Sequence, residues 1–280
     1  MEKPKPLISV FMPARNEEAN ILQNFRILDN ALEQGKINHA VIVIDGSRDR
    51  TREIILRESK LTLEQIKKLT SKKRGTLVLS NGLILINHRE PEGKGRNFME
   101  AMFTLKGRTK QFNQKNSIVV NIDADAVNLE EKKITEIAKE IHKREVPMLL
   151  GTHIEKGAHL RGAATASPNA TGFRAMQTQA LEPLFKFKSH WIDSFPRQFG
   201  MDAALNYLIY PQTIDPKKRF KIPQSLIELG HEKPGKHLSD SKQSRQRNDV
   251  RLRLTSQAHK TEDKSPESRA FREKVKHRLK

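Results

Sequence analysis

Short apolar runs, each ending in polar residues, alternate along this chain with stretches of helical spacing. That alternation narrows the possible folds more than any other feature. Leu7–Met12 (LISVFM) is a strand closed by Pro13. Glu17 to Glu33 follows, with Ile21, Leu22, Phe25, Leu28, Ala31 and Leu32 spaced for one helix face. Ala40–Ile44 (AVIVI) is a second strand, closed by Asp45-Gly46-Ser47, and helical sequence runs in two pieces from Thr51 to about Lys73. Thr76 to Ile86 reads as two short strands around Asn81-Gly82, a strong hairpin signal. Gly93-Lys94-Gly95 precedes a helix to about Leu105, then come a strand from Ser117, an amphipathic helix over Leu129–Lys143 and a short strand over Met148–Gly151. Strands this uniformly apolar need cover on both faces. The expected fold is therefore α/β, with a mostly parallel sheet flanked by helices.

In such sheets ligands bind beyond the carboxyl ends of the strands. Polar residues collect there: Arg15-Asn16-Glu17 after the first strand, Asp45 after the second, Asp123 and Asp125 after the strand from Ser117. Residues i and i+2 of a strand point to one side, so Asp123 and Asp125 converge, at a cost in repulsion that a divalent cation removes. Past Gly151 the pattern loosens. Thr171-Gly172-Phe173-Arg174 reads as the opening of a helical stretch, and Gly200-Met201-Asp202 as the start of an apolar helix ending near Tyr210.

Composition bounds the function. With no cysteine, disulfides and thiolate–metal sites are excluded, and a reducing cytoplasm is the expected compartment. Runs such as Val41–Ile44 are too short to span a bilayer, and the opening Met-Glu-Lys-Pro-Lys-Pro lacks the apolar core of a signal peptide. The net charge of +19 attracts polyanions: nucleic acid, an anionic membrane surface or phosphorylated small molecules. From about Leu238 the chain is polar with alternating charges, so residues 1–237 are expected to form the domain and 238–280 a basic, helical or disordered tail.

Taken together, these residues resemble family 2 glycosyltransferases of the GT-A fold, from Ile8 to about His231. Ile8 to Glu17 resembles the family's first strand and its P-x-x-N-E turn, and Val41 to Thr51 its V-D-D-G-S-x-D-x-T element, except that Asp45 abuts Gly46, so that Ile44 or a deletion replaces one position. Gly93-Lys94-Gly95 resembles the segment near the donor diphosphate, and Ile122-Asp-Ala-Asp-Ala126 the metal-binding D-x-D. Thr171 to Met176 is similar to the acceptor loop, Phe199 to Ala204 to the segment bearing a catalytic or acceptor-positioning carboxylate, and Leu229-Gly230-His231 to the element that brings a late histidine to the metal.

The resemblance implies transfer of a glycosyl group from a nucleoside-diphosphate sugar to a hydroxyl acceptor, with inversion. Mg2+ or Mn2+ would be the cofactor. Asp125 and His231 are the implied metal ligands, with His237 as the alternative to His231. Ala14, Arg15, Glu17, Asp45, Gly93, Lys94 and Asp123 are the implied donor-binding residues: Asp45 meeting a base N–H, Arg15 a phosphate, Gly93 and Lys94 the diphosphate. Asp202 is the implied base. Gly172 and Arg174, with Arg161, would hold the acceptor, the arginines suiting an anionic or phosphorylated one. Simpler roles compete: Asp45 as a turn aspartate capping the helix at Thr51, Asp202 as a carboxylate stabilised by a helix N-terminus, and Gly93 to Gly95 as an ordinary turn. Asp49 is the expected helix cap.

Two other functions fit parts of the chain. A sugar-phosphate nucleotidyltransferase needs a glycine- and arginine-rich segment near the N-terminus, and Met12–Glu18 has no glycine. A nucleic-acid-binding protein is supported by charge alone, with two tyrosines, one tryptophan and no binding motif, so no specific nucleic acid is expected. The tail's expected use is peripheral contact with an anionic membrane.

Overall fold

Burial sorts the strands into a sheet before any helix is considered. Leu7–Ala14 (β1), His39–Asp45 (β2), Leu83–His88 (β4) and Ser117–Asn121 (β5) are almost wholly buried and pair in parallel in the order β4-β2-β1-β5. The computed structural model describes residues 5–109, 112, 114, 116–155, 173–186, 200–210 and 223–231. Arg74–Val78 (β3) adds an antiparallel edge strand through the Asn81-Gly82 hairpin. On the other side Arg174–Gln177 (β7), Met148–Glu155 (β6) and Gln224–His231 (β8) complete an eight-stranded sheet in the order β3-β4-β2-β1-β5-β7-β6-β8. β7 is antiparallel to both of its neighbours, whereas β8 runs parallel to β6.

The alternation of each strand divides its side chains between two cores. Ile8, Val10, Ile42, Leu85 and Val120 pack against Ile21–Glu33 (α1), Thr51–Glu58 (α2), Leu63–Thr70 (α3) and Glu131–Arg144 (α5). Phe11, Val41, Val43, Ile84, Ile86 and Val119 face Lys94–Arg108 (α4), the short helix Glu182–Lys186 (α6) and Gly200–Ile209 (α7). The result is three layers, helix–sheet–helix. No described helix is long and apolar enough to cross a membrane.

Three expectations need correction. β1 does not stop at Pro13 but continues to Ala14 beside β2; only the ladder to β5 ends, at the Phe11–Asn121 pair. Ile8 faces β2 and Phe11 accepts Ile122 N–H on the β5 side, so alternation turns the missing N–H of Pro13 toward β5. Arg174 opens a strand rather than a helix. β6 is twice the expected length, reaching Glu155. The basic tail at 238–280, Gly172, Arg161 and His237 lie outside the described residues. Only the backbone of His231 is described, at the end of β8 opposite Glu155.

Candidate active site

β1 is the point where the sheet's connections reverse, leading to β2 and β4 on one side and β5 on the other, and a cleft opens beyond its carboxyl end. It encloses about 360 Å³ and is lined by Pro13, Ala14, Arg15, Glu17, Asp45, Gly93, Lys94, Asn97, Asp123, Ala124 and Asp125. That volume lies within the range of small-molecule sites. All seven residues read from the sequence as donor-binding, and Asp125, therefore stand around one space.

The acidic side of the cleft is built by β1 and β5. Past Asn121 the chain leaves the sheet and turns, closed by Ala126 N–H to the Asp123 carbonyl at 3.2 Å. Asn24, buried on the apolar face of α1, holds this turn from below: its Nδ2 donates to the carbonyls of Ala124 (2.9 Å) and Ala126 (2.8 Å), which flank Asp125. Glu17 faces the same pair of aspartates. Burial first, then the charges of Asp125, Asp123 and Asp49, push its carboxyl up to about 8. Three carboxylates that raise one another's cost are suited to a divalent cation. Among the described residues no three His, Asp or Glu side chains stand ready as a complete cage, so a cation here would draw further oxygens from its ligand.

The basic side comes from α4. Gly93, at φ +91° where a Cβ would strain the backbone, turns the chain into the helix so that Lys94 enters the cleft. The Lys94 ammonium lies 2.6 Å from Asp123 Oδ1 and 3.6 Å from Asp202 Oδ2. Burial disfavours its charge, but Asp123 and Asp202 outweigh burial and raise its pKa. Only Gly93 lies outside the helix; Lys94 and Gly95 are its first turn.

Asp45, at the end of β2, is held by backbone N–H groups of the turn before α4. Its Oδ1 accepts Glu92 N–H at 2.6 Å and its Oδ2 accepts Gly93 N–H at 3.0 Å. Burial works against its charge, yet His88 and the hydrogen bonds from Glu92, Asn97 and Gly93 hold its carboxyl below the ordinary range. It thus caps the turn before α4, not the helix at Thr51. Asp49 does the latter, accepting Thr51 N–H at 3.0 Å and Glu18 N–H at 3.1 Å. The loops after β1 and β2 are laced together further by Glu17 N–H to Thr51 Oγ1 (2.7 Å) and Arg48 N–H to Asn16 Oδ1 (2.9 Å). Arg15 is exposed at the cleft's rim.

Asp202, near the start of α7, borders the cleft through Lys94. It stands behind Lys94, with Oδ1 2.7 Å from Arg174 Nη2. Arg174 is fully buried in β7, and its Nη1 also donates to Asn206 Oδ1 (3.2 Å) and the Asp202 carbonyl (3.3 Å). The expectation that Arg174 lies on a loop facing an acceptor is corrected: its guanidinium fixes α7 against the sheet. Sequence reasoning missed Asn24, His88, Asn97 and Glu100. Asn24 left a trace, a polar side chain on the apolar stripe of α1; the others contact partners too distant in sequence for spacing to reveal.

The fold has relatives among solved structures. A mycobacterial protein matches with a TM-score of 0.53 at 15% identity, covering 94% of this chain and 81% of its own. Glucosyl-3-phosphoglycerate synthase from Mycobacterium tuberculosis, in complex with Mn2+, UDP and phosphoglyceric acid, matches at 0.52 and 17% identity, covering 90% and 78%. The same enzyme with Mn2+, UDP-glucose and phosphoglyceric acid matches at 0.52 and 19%, covering 88% and 79%. No curated protein matches the chain. The family model for glycosyl transferase family 2 matches residues 9–205, which include most of β1, the loop after β2, the Asp123–Asp125 turn and the start of α7. The chain belongs to glycosyl transferase family 2 and is a glycosyltransferase.

Proposed function

We propose that this enzyme transfers a sugar from a nucleoside diphosphate to the hydroxyl of an anionic acceptor, with a divalent cation in the cleft. One observation carries the reading: Glu17, Asp123 and Asp125 converge opposite Lys94 and the N-terminus of α4, beyond the strand at which the sheet's connections reverse. A diphosphate–cation pair complements that arrangement, its cation among the carboxylates and its phosphates against Lys94 and the first N–H groups of α4. The Mycobacterium tuberculosis enzyme is named with Mn2+, UDP or UDP-glucose, and phosphoglyceric acid, which supports the donor class, the cation and a negatively charged acceptor.

Asp125 and His231, from the end of β8, are the proposed ligands, with Asp123 reaching the ribose or a metal-bound water. When bound, the cation would neutralise the departing diphosphate, typically worth several kcal/mol. Arg15 closes the rim over the phosphates. Lys94 bridges Asp123 and Asp202, and a diphosphate that draws Lys94 away would leave Asp202 Oδ2 open to the acceptor. Asp202 then takes the acceptor hydroxyl's proton, a contribution of ~10²–10⁴-fold, and the anomeric configuration inverts. Gly172 belongs to the proposed acceptor loop. The tail at 238–280 is assigned electrostatic contact with an anionic membrane surface.

The test is direct. Incubation with UDP-glucose or GDP-mannose, Mn2+ and 3-phosphoglycerate, followed by NMR of the product, should show a new glycosidic bond formed only with the metal. Absence of transfer and of donor hydrolysis across uridine and guanosine donors would overturn the reading. Retained configuration would remove Asp202 from the role of base.

A further inference from the structure

Beneath the cleft lies a buried charge triplet that the mechanism above does not use. His88, the last residue of β4, is fully buried, and its ring stands between two carboxylates. Nδ1 is 3.5 Å from Asp45 Oδ1, and Nε2 is 2.8 Å from Glu100 Oε2. Strand register makes this meeting: β2 and β4 place Asp45 beside His88, and the alternation that turns Ile84 and Ile86 toward α4 turns His88 there too. Glu100 lies on α4, one turn beyond Asn97. The contacts therefore run from α4, through His88 and Asp45, back to the Glu92–Gly93 turn from which α4 starts.

A ring with a carboxylate beside each nitrogen suits the imidazolium: Nε2 is hydrogen-bonded to Glu100, and Nδ1 stands at ion-pair distance from Asp45 without hydrogen-bond geometry. Burial disfavours the charge, but Asp45 and Glu100 together prevail and raise the pKa to about 9. The remaining charged groups nearby are Glu92 on the turn, Arg52 of α2, which donates to the His88 carbonyl at 3.1 Å, and Arg74, opposite His88 in β3. A neutral His88 would lose one donor and leave Asp45 and Glu100 facing each other with no cation between.

We propose that His88 is a positioning residue for donor binding: by bridging Asp45 and Glu100 it fixes Asp45 under the Glu92–Gly93 turn, and so holds Lys94 and the first N–H groups of α4 where a diphosphate meets them. This rests on the donor-binding reading of the cleft. A histidine that served stability alone would alter melting without changing how nucleotide affinity varies with pH. A positioning histidine changes both.

The experiment is calorimetric titration of the full chain with UDP and Mg2+, from about pH 7 to about pH 10, for the wild type, His88→Gln and Glu100→Gln. Wild-type affinity should fall about ten-fold on the alkaline side as His88 loses its proton. His88→Gln should bind about ten-fold more weakly than the wild type at neutral pH, and this gap should close on the alkaline side, where Glu17 and the nucleotide titrate alike in both. Glu100→Gln should move the loss to lower pH. Parallel profiles for wild type and His88→Gln, or an unmoved profile for Glu100→Gln, would overturn the role of His88. Should His88→Gln not fold, Glu100→Gln decides the question, because its side chain is partly exposed. A wild type that binds neither UDP nor GDP at any pH would instead overturn the donor reading, and this inference with it.

Discussion

Asn24 does for the Asp123–Asp125 turn what Asp45 does for the turn before α4. One buried side chain satisfies two backbone groups and thereby places a charged residue in the cleft. Asn24→Ala leaves two carbonyls without their donor, so it should lower stability by about 1–3 kcal/mol in denaturant unfolding and weaken cation-dependent nucleotide binding as well. Asp125→Ala should separate these effects. Its carboxylate is half-buried and repels that of Glu17, so melting without ligand should not fall, while Mn2+-dependent stabilisation by UDP is lost. Arg15, Asp45, Asp123 and Asp125 were legible in the sequence because they follow apolar runs at the ends of strands, and Gly93 and Lys94 because a glycine turn opens a helix there. Asn24 is separated from Ala124 by 100 positions and His88 from Glu100 by 12, and neither spacing belongs to a helix or strand period. Asp45 was legible as a site residue, but its backbone partners were not, since they lie 47 and 48 positions away.

Among elements, the parallel core could be read because its strands are buried on both faces and so apolar throughout. β7 could not. Arg174-Ala-Met-Gln177 has four residues and a charged one at its head, and it is a strand only because β5 and β6 flank it while Asp202 and Asn206 receive its arginine. β8 likewise owes its pairing to β6, which lies far back in the chain. Asp202→Ala would leave the buried guanidinium of Arg174 without the carboxylate it faces, so a loss of roughly 3 kcal/mol or more is expected in addition to lost turnover. Asp202→Asn, which keeps the shape, is the better variant for kinetics. Gly46 joins β2 to the cleft at φ +60°, and a Cβ there would stand 2.5 Å from the backbone nitrogen of Pro91. Gly46→Ala should destabilise by about 1–3 kcal/mol and disturb the turn that delivers Lys94, seen as lower melting together with weaker UDP binding.

For the molecule as a whole, the buried charges set a pH profile. His88 has a folded pKa of about 9 against an ordinary 6.5, so its stabilisation is complete below 6.5 and is lost as pH rises through about 9. Asp45 is shifted downward from 3.8, so its contribution is present above that value and is lost as pH falls through the lowered one. Glu17 adds to the alkaline loss: raised from 4.5 to about 8, it keeps a proton that the unfolded chain has released, and stability declines across that interval. Melting of the ligand-free protein should therefore peak in mild acid and fall toward pH 9, and Glu17→Gln should raise the melting temperature near pH 8.

A divalent cation with its diphosphate would relieve the repulsion around Glu17, Asp123 and Asp125, and that relief is the account's central claim. Thermal unfolding with UDP and GDP, each with and without Mn2+, tests it most directly. The expected result is a rise in melting temperature when nucleotide and metal are present together, absent with either alone and absent in Asp125→Ala. An equal rise from nucleotide without metal, or no rise with any combination, would contradict it.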